Sequence, residues 1–419
     1  MSKRGSNKGM TRRHFIKTAA VSGAAAAVGF PYVVKAEDKT INIAGLMCMT
    51  GYVQTYGRQR DQGVKMAIEE MQPQMTDWKI NYVTYDTQSN AGVAKRKAIE
   101  AIGSGADYLD GAIVASEATA VGEVADENRK IFTTGTGQTE LFGSNCSRLA
   151  FKWNATNFQQ VRTPVWYAME NIPGAKTGKW AILSVNMVWG QEGRKVFLNF
   201  VKERGYGINL VYDDFFDPKT NDFTGIFNTI RALKPDVFFL CDIGGTQTIT
   251  ALKQLESMGL KKDWKVLWTI GLLEAYRGMG PEVLEGTISD QVWWHTLDIP
   301  ATKNFVKRYK DQYGSVPDWP CAAGYSDVKN VLTAVKTTGT KDWKTLVKFL
   351  EGYEYEGLTG HERINPDTHV VNKPHYAAVG KPKSAMKEND DFVEIMPPPP
   401  LDLISWTKER SGCTFKVQF

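Results

Sequence analysis

Residues 41–71 read I-N-I-A-G-L-M-C-M-T-G-Y-V-Q-T-Y-G-R-Q-R-D-Q-G-V-K-M-A-I-E-E-M. A β-rich run at 41–47 gives way to a glycine- and tyrosine-bearing loop at 50–57. From 61 to 71 the chain then sets Val64, Ala67, Ile68 and Met71 on one helical face. Strand, loop and helix make one step of a β-α-β unit, and the step repeats. Residues 79–85 form the next strand, 91–104 a helix, 111–114 a strand-like run, 118–128 a helix and 131–134 a strand. Such alternation specifies a parallel sheet with helices on both faces.

The pattern restarts after a connection at 151–160. Strands are expected at 180–185, 209–216, 237–240 and 266–269, with helices at 190–204, 223–233 and 246–258 between them. Three helical segments follow, near 301–313, 322–338 and 343–351. The tail from Tyr353 is hairpin-like and contains the stiff extended run Pro397–Pro400. The chain is therefore α/β with two doubly wound parallel-sheet lobes. Open parallel sheets bind ligands beyond the carboxyl ends of their strands, which puts the site in the cleft between the lobes.

Residues 11–20, T-R-R-H-F-I-K-T-A-A, pair two arginines ahead of an alanine- and glycine-rich apolar run at 19–30. With Val34-Lys35-Ala36 as a small-residue cleavage site, 1–36 reads as a twin-arginine export signal, and the mature protein works in the periplasm. The formal charge of +5 belongs to that segment. Its seven basic residues leave 44 Lys and Arg against 46 Asp and Glu, a net of −2. No basic surface for nucleic acid or anionic lipid is implied. No later run reaches the roughly 18 apolar residues of a membrane span. Five scattered cysteines (48, 146, 241, 321 and 413) show no C-x-x-C and no interleaved histidines, so no metal or redox motif is expected. Cys413 pairs with Cys321 or with Cys146 if a bridge forms.

Catalytic signatures are lacking. The loop G-Y-V-Q-T-Y-G at 51–57 carries tyrosines where a phosphate loop needs small residues and a lysine. Gly-x-Ser-x-Gly is absent, and the histidines have no ligand spacing. No cofactor is expected, and a non-enzyme is favoured. An acid/base pair of Glu117 with Glu274 is the one catalytic alternative.

The ordered stretches T-G-Y-V-Q-T-Y-G, Y-D-T-Q-S-N (85–90), G-A-I-V-A-S-E-A-T-A (111–120) and I-F-T-T-G-T-G-Q-T (131–139) resemble the periplasmic branched-chain amino-acid-binding proteins. So do W-A-I-L-S-V-N-M-V-W-G-Q-E-G and the late A-G-Y-S-D-V-K-N-V-L-T-A-V helix. The resemblance covers about 39–383. It implies a type I periplasmic binding fold with a three-crossover hinge, closing on a small ligand and presenting it to the membrane subunits of an ABC permease. A ligand-sensing module for a signalling partner is the alternative on the same fold. Lobe 1 would comprise 37–155 and about 297–352, lobe 2 would comprise 156–296 and about 353–390, and 391–419 would be a tail.

Carried over residue by residue, the family's carboxylate grip falls on Ser116, Thr134, Thr136 and the amides around Gly137, with Glu117 close by and Tyr56 as the first-loop tyrosine. Its usual first serine falls at Ala115. The ammonium-holding tyrosine and carboxylate fall near Gly244–Gly245 and Gly271, leaving Asp242 or Glu274 as substitutes. An unpaired buried ammonium costs several kcal/mol. Trp189, Trp268, Trp293 and Trp294 stand at or near strand ends, and Trp189 is expected to line the cleft. Such a pocket suits an aliphatic or aromatic carboxylate, or an apolar amino acid.

Overall fold

The computed structural model describes residues 39–417, and the export segment read at 1–36 lies outside them. β1 (Thr40–Met47) is buried throughout its last five residues. Burial on both faces requires helical layers on either side of a sheet. β1 sits between β2 (Lys79–Asp86) and β3 (Tyr108–Gly111), followed by β4 (Ile131–Thr134) and β5 (Ala150–Phe151), in the order β2-β1-β3-β4-β5. All pairings are parallel. Leu46 registers with Gly111, and Gly111 with Thr134, so three loops leave the sheet side by side.

The second sheet repeats this plan. β6 (Lys179–Val185), β7 (Asn209–Phe216), β8 (Val237–Cys241), β9 (Lys265–Trp268) and β10 (Ile288–Gln291) are parallel. The hairpin expected from Tyr353 is β11 (Glu354–Gly357) with β12 (Gly360–Ile364), extended by β13 (Val371–Asn372). β14 (Tyr376–Gly380) and β15 (Val393–Ile395) then add antiparallel to the β10 edge. The first residues of the expected tail are thus the last strand of this sheet, because β14 presents an unpaired edge to them.

Helices Pro300–Tyr313 and Trp319–Thr338 return to the first sheet. Tyr309 donates to Gln62 Oε1 at 2.8 Å, and Arg308 pairs with Glu70. Trp319–Thr338 crosses Gln54–Met71 so closely that a Cβ on Gly63 would lie 2.9 Å from Tyr325 N.

Four expectations need correction. The strand placed at 111–114 is Tyr108–Gly111, since Gly111 (φ +125°) and Ala112 (φ +51°) turn the chain out of the sheet. The helix placed at 118–128 starts at Ala115, and the one placed at 190–204 starts at Val188. The connection at 151–160 runs into a helix, Asn157–Asn171. Its polar start and internal Pro164 mask it, but Thr156 N donates to Gln159 Oε1 at 2.9 Å, one arm of a capping box.

Cys146 is bridged to Cys413, which carries the tail back to the first sheet, and Cys48, Cys241 and Cys321 are buried free thiols. Trp406 in this returning segment donates its indole N–H to Phe142 O at 2.7 Å and packs 5.0 Å from the Phe158 ring. Among the described residues no helix is long and apolar enough to cross a membrane, and no cluster of potential metal ligands occurs.

Candidate functional site

The loops after β1, β3 and β4 face those after β6, β8 and β9 across a cavity of about 240 Å³. Tyr52, Tyr56, Ile113, Ser116, Thr136 and Gly137 come from the first set, and Met187, Val188, Trp189, Ile243 and Ile270 from the second. Asn154, Gln160 and Trp319 complete the wall from the connecting segments. Among the described residues lining it, none is charged. The volume lies below the roughly 300–1,000 Å³ of drug-sized sites, so the occupant is small.

Tyr56 closes one side. Its hydroxyl donates to Ile243 O at 2.9 Å across the cleft, and its ring meets Trp319 edge-on at 5.5 Å. Burial, reinforced by Asp318 and Asp242, holds its phenol well above the ordinary tyrosine range, so it stays a neutral donor. Thr136 is buried. Its Oγ1 accepts from Gln138 N at 3.3 Å, which leaves the hydroxyl proton for a ligand. Ser116, exposed, is the second residue of the helix Ala115–Glu127. Gly137 is a glycine for a packing reason: a Cβ there would stand 2.8 Å from Trp189 Nε1 and 3.2 Å from Gln160 Oε1.

Four expected site residues do not line the cavity. Thr134 Oγ1 donates to Ala112 O at 2.7 Å and accepts from Thr136 N at 3.2 Å, so it supports the loop from behind. Glu117 turns back onto its own helix start, accepting from Val114 N at 3.4 Å, and burial raises its pKa. Asp242 is buried and accepts from Thr248 Oγ1 at 2.7 Å, with its pKa also raised by burial. Glu274 is exposed on the short helix Leu273–Met279. No acid therefore replaces the missing ammonium partner at the cavity wall. Gly271 cannot carry one either, since a Cβ would meet Asp290 O at 2.7 Å. Trp268, Trp293 and Trp294 are core residues with no exposed surface.

Trp319, Gln160 and Ile270 are among the lining residues that were not anticipated. Trp319 opens its helix behind Asp318, whose carboxylate accepts from Trp319 N at 2.7 Å, with proline at the next position. That Asp-Trp-Pro order is a readable helix start. Gln160 sits in the masked helix. Ile270 has φ +58°, a strained backbone for a β-branched residue, and no sequence signal marks it. Three polar atoms in the wall are buried without a partner in the protein: Trp189 Nε1, Trp319 Nε1 and Gln160 Oε1. Buried polar groups are rarely left so.

The sequence profile of the periplasmic binding protein family matches residues 40–385. The chain belongs to that family. A twin-arginine translocation signal profile matches residues 9–29, so this periplasmic binding protein is exported folded and works in the periplasm. An amino acid ABC transporter substrate-binding protein from Pseudomonas fluorescens Pf-5 is similar at 29% identity, covering 90% of this chain and 99% of that one, with TM-score 0.83. A branched-chain amino acid ABC transporter periplasmic ligand-binding protein from Burkholderia xenovorans LB400 shares 20% identity, 90% and 99% coverage and TM-score 0.82. An ABC transporter solute-binding protein from Rhodopseudomonas palustris BisB5, solved with 3,4-dihydroxybenzoic acid, shares 21% identity, 86% and 97% coverage and TM-score 0.74. No curated protein matches the chain. The two-lobed type I fold expected from the resemblance holds.

Proposed function

We propose that this periplasmic binding protein is the solute receptor of an ABC importer, taking a small carboxylate with an apolar body and presenting it to a permease. The observation that carries the ligand class is the cavity wall: aromatic and aliphatic on both sides, with hydroxyl and amide donors at the Ser116–Gly137 end and no charged side chain. Donors suit a carboxylate, whereas an amino acid's ammonium would meet no carboxylate and would cost several kcal/mol to bury. On this reading Tyr56, Ser116, Thr136, Gly137 and Trp189 contact ligand. The lobes are 37–155 with about 297–352, and 156–296 with the remainder through β15, hinged where the chain crosses between them.

Calorimetry with leucine beside 4-methylpentanoate, its deaminated analogue, tests the ligand class. The analogue is expected to bind at least tenfold more tightly. Tight leucine binding with no response to the analogue would refute the carboxylate reading while leaving the receptor role intact.

A further inference from the structure

Behind the cavity wall a lysine is buried without a carboxylate of its own. Lys152 has no exposed surface. Its ammonium donates to Thr136 O and lies 5.1 Å from the centroid of the Phe142 ring. Of the carboxylates that act on it, Asp327 is held by Arg60 at 2.8 Å and Glu192 accepts from Asn157 Nδ2 at 2.6 Å. Among the described residues none forms an ion pair with Lys152. A cation in such a place is costly unless something else balances it.

Thr136 C=O and Gly137 N–H belong to one planar peptide group. A cation at its oxygen polarises the N–H at its other end. Thr136 and Gly137 line the cavity with Trp189, whose indole N–H has no partner in the protein and would stand 2.8 Å from a Cβ on Gly137. The lysine's charge is therefore felt at the stretch of wall that these residues form. We propose that Lys152 is a positioning residue that selects an anionic ligand, its charge conveyed through the Thr136–Gly137 peptide to a carboxylate that serves as its counter-ion. The inference rests on the cleft being the ligand site.

Burial lowers the Lys152 pKa to about 7. The groups that face it are Asp327 and Glu192, which favour its charged form, and Arg60, which opposes it and is itself paired with Asp110, while His369 lines the same small cavity. A bound carboxylate would favour the ammonium. Above about pH 7 binding then requires proton uptake, so affinity for an anion falls as pH rises, and affinity for an uncharged isostere does not.

Calorimetry from pH 6 to 9 with 4-methylpentanoate and 4-methylpentanamide tests this on the mature wild type and on Lys152→Gln. For wild type the carboxylate should weaken about tenfold between pH 7 and 9 while the amide stays level. Lys152→Gln should lose about tenfold for the carboxylate at pH 6, keep its amide affinity and show a flat profile. A carboxylate profile that tracks the amide in wild type overturns the proposal, and this comparison decides alone if the variant does not fold. A variant that keeps both slope and carboxylate preference also overturns it while sparing the cleft. If neither probe binds wild type, or if Trp189→Ala leaves binding unaltered, the cleft reading itself falls and the role of Lys152 with it.

Discussion

Removing the Cys146–Cys413 bridge should lower stability by an amount that the chain length sets. The two cysteines are 267 residues apart, so the bridge closes a very long loop in the unfolded chain. The loop-entropy relation gives about 5.5 kcal/mol at 25 °C for a ring of that size, above the 2–5 kcal/mol usually measured. Unfolding entropy of roughly 2.1 cal/mol/K per residue sums to about 0.8 kcal/mol/K over residues 39–417. The melting temperature should therefore fall by about 3–7 °C. Scanning calorimetry of oxidised wild type, reduced wild type and Cys413→Ser measures it, and the last two should coincide. Trp406 and Arg162, which donates to Leu403 O at 3.0 Å, still hold the returning segment when the bridge is cut. The loss should thus be partial rather than a detachment of the tail. Oxidised and reduced protein melting within a degree of each other would refute the reasoning.

Trp189→Ala should weaken ligand binding by about 2–4 kcal/mol, read by calorimetry, because a buried aromatic leaves a desolvated wall. Gly137→Ala should also weaken binding, with little change in melting temperature, since the added methyl displaces the Trp189 indole rather than the core. Changing Arg12 and Arg13 together to lysine should trap precursor in the cytoplasm, and sequencing of the exported wild type should start at Glu37; normal periplasmic yield of the variant would contradict the first. His295 is buried with neither ring nitrogen partnered, and burial lowers its pKa to about 4. A histidine held neutral contributes stability above its unfolded pKa near 6.5 and loses it as pH falls towards 4, by about 3 kcal/mol. Stability measured against pH should therefore be flatter for His295→Gln than for wild type over that window, and parallel curves would contradict the assignment.

The alternation of strand and helix was legible because each parallel strand is a short apolar run and each helix carries one apolar face. Asn209–Phe216 and Ile131–Thr134 coincide with the ranges read from sequence. What escaped reading lies between the two sheets. Asn157–Asn171 is buried along its first nine residues although it begins N-F-Q-Q-V-R-T-P: Asn157 bonds Glu192 and Arg162 pairs with Glu203, while Gln160 Oε1 and Thr163 Oγ1 are buried without a partner in the protein. Tyr56, Ser116 and Thr136, named from the order of the loops, line the cavity. Glu117, Asp242 and Glu274 stand outside its lining, because proximity in sequence to a strand end does not say which way a carboxylate turns. Trp319 is 263 positions from its ring partner Tyr56, a separation no local pattern spans.

The hydrogen bond from Tyr56 to the Ile243 carbonyl joins the two sides of the cleft through the protein's own atoms. On the proposed hinge, a latch of this kind biases the closed arrangement whether or not a solute is present. At about 1 kcal/mol net, it multiplies the ratio of shut to open molecules roughly fivefold. The solute then needs to supply less of the closing free energy, and its apparent affinity rises by up to the same factor. The same bias sets a background of shut, empty receptors that a transporter reading only the shape would engage without gain. Tyr56→Phe removes the latch while keeping the ring against Trp319, so it should lower that background and sharpen the contrast between the empty and filled receptor.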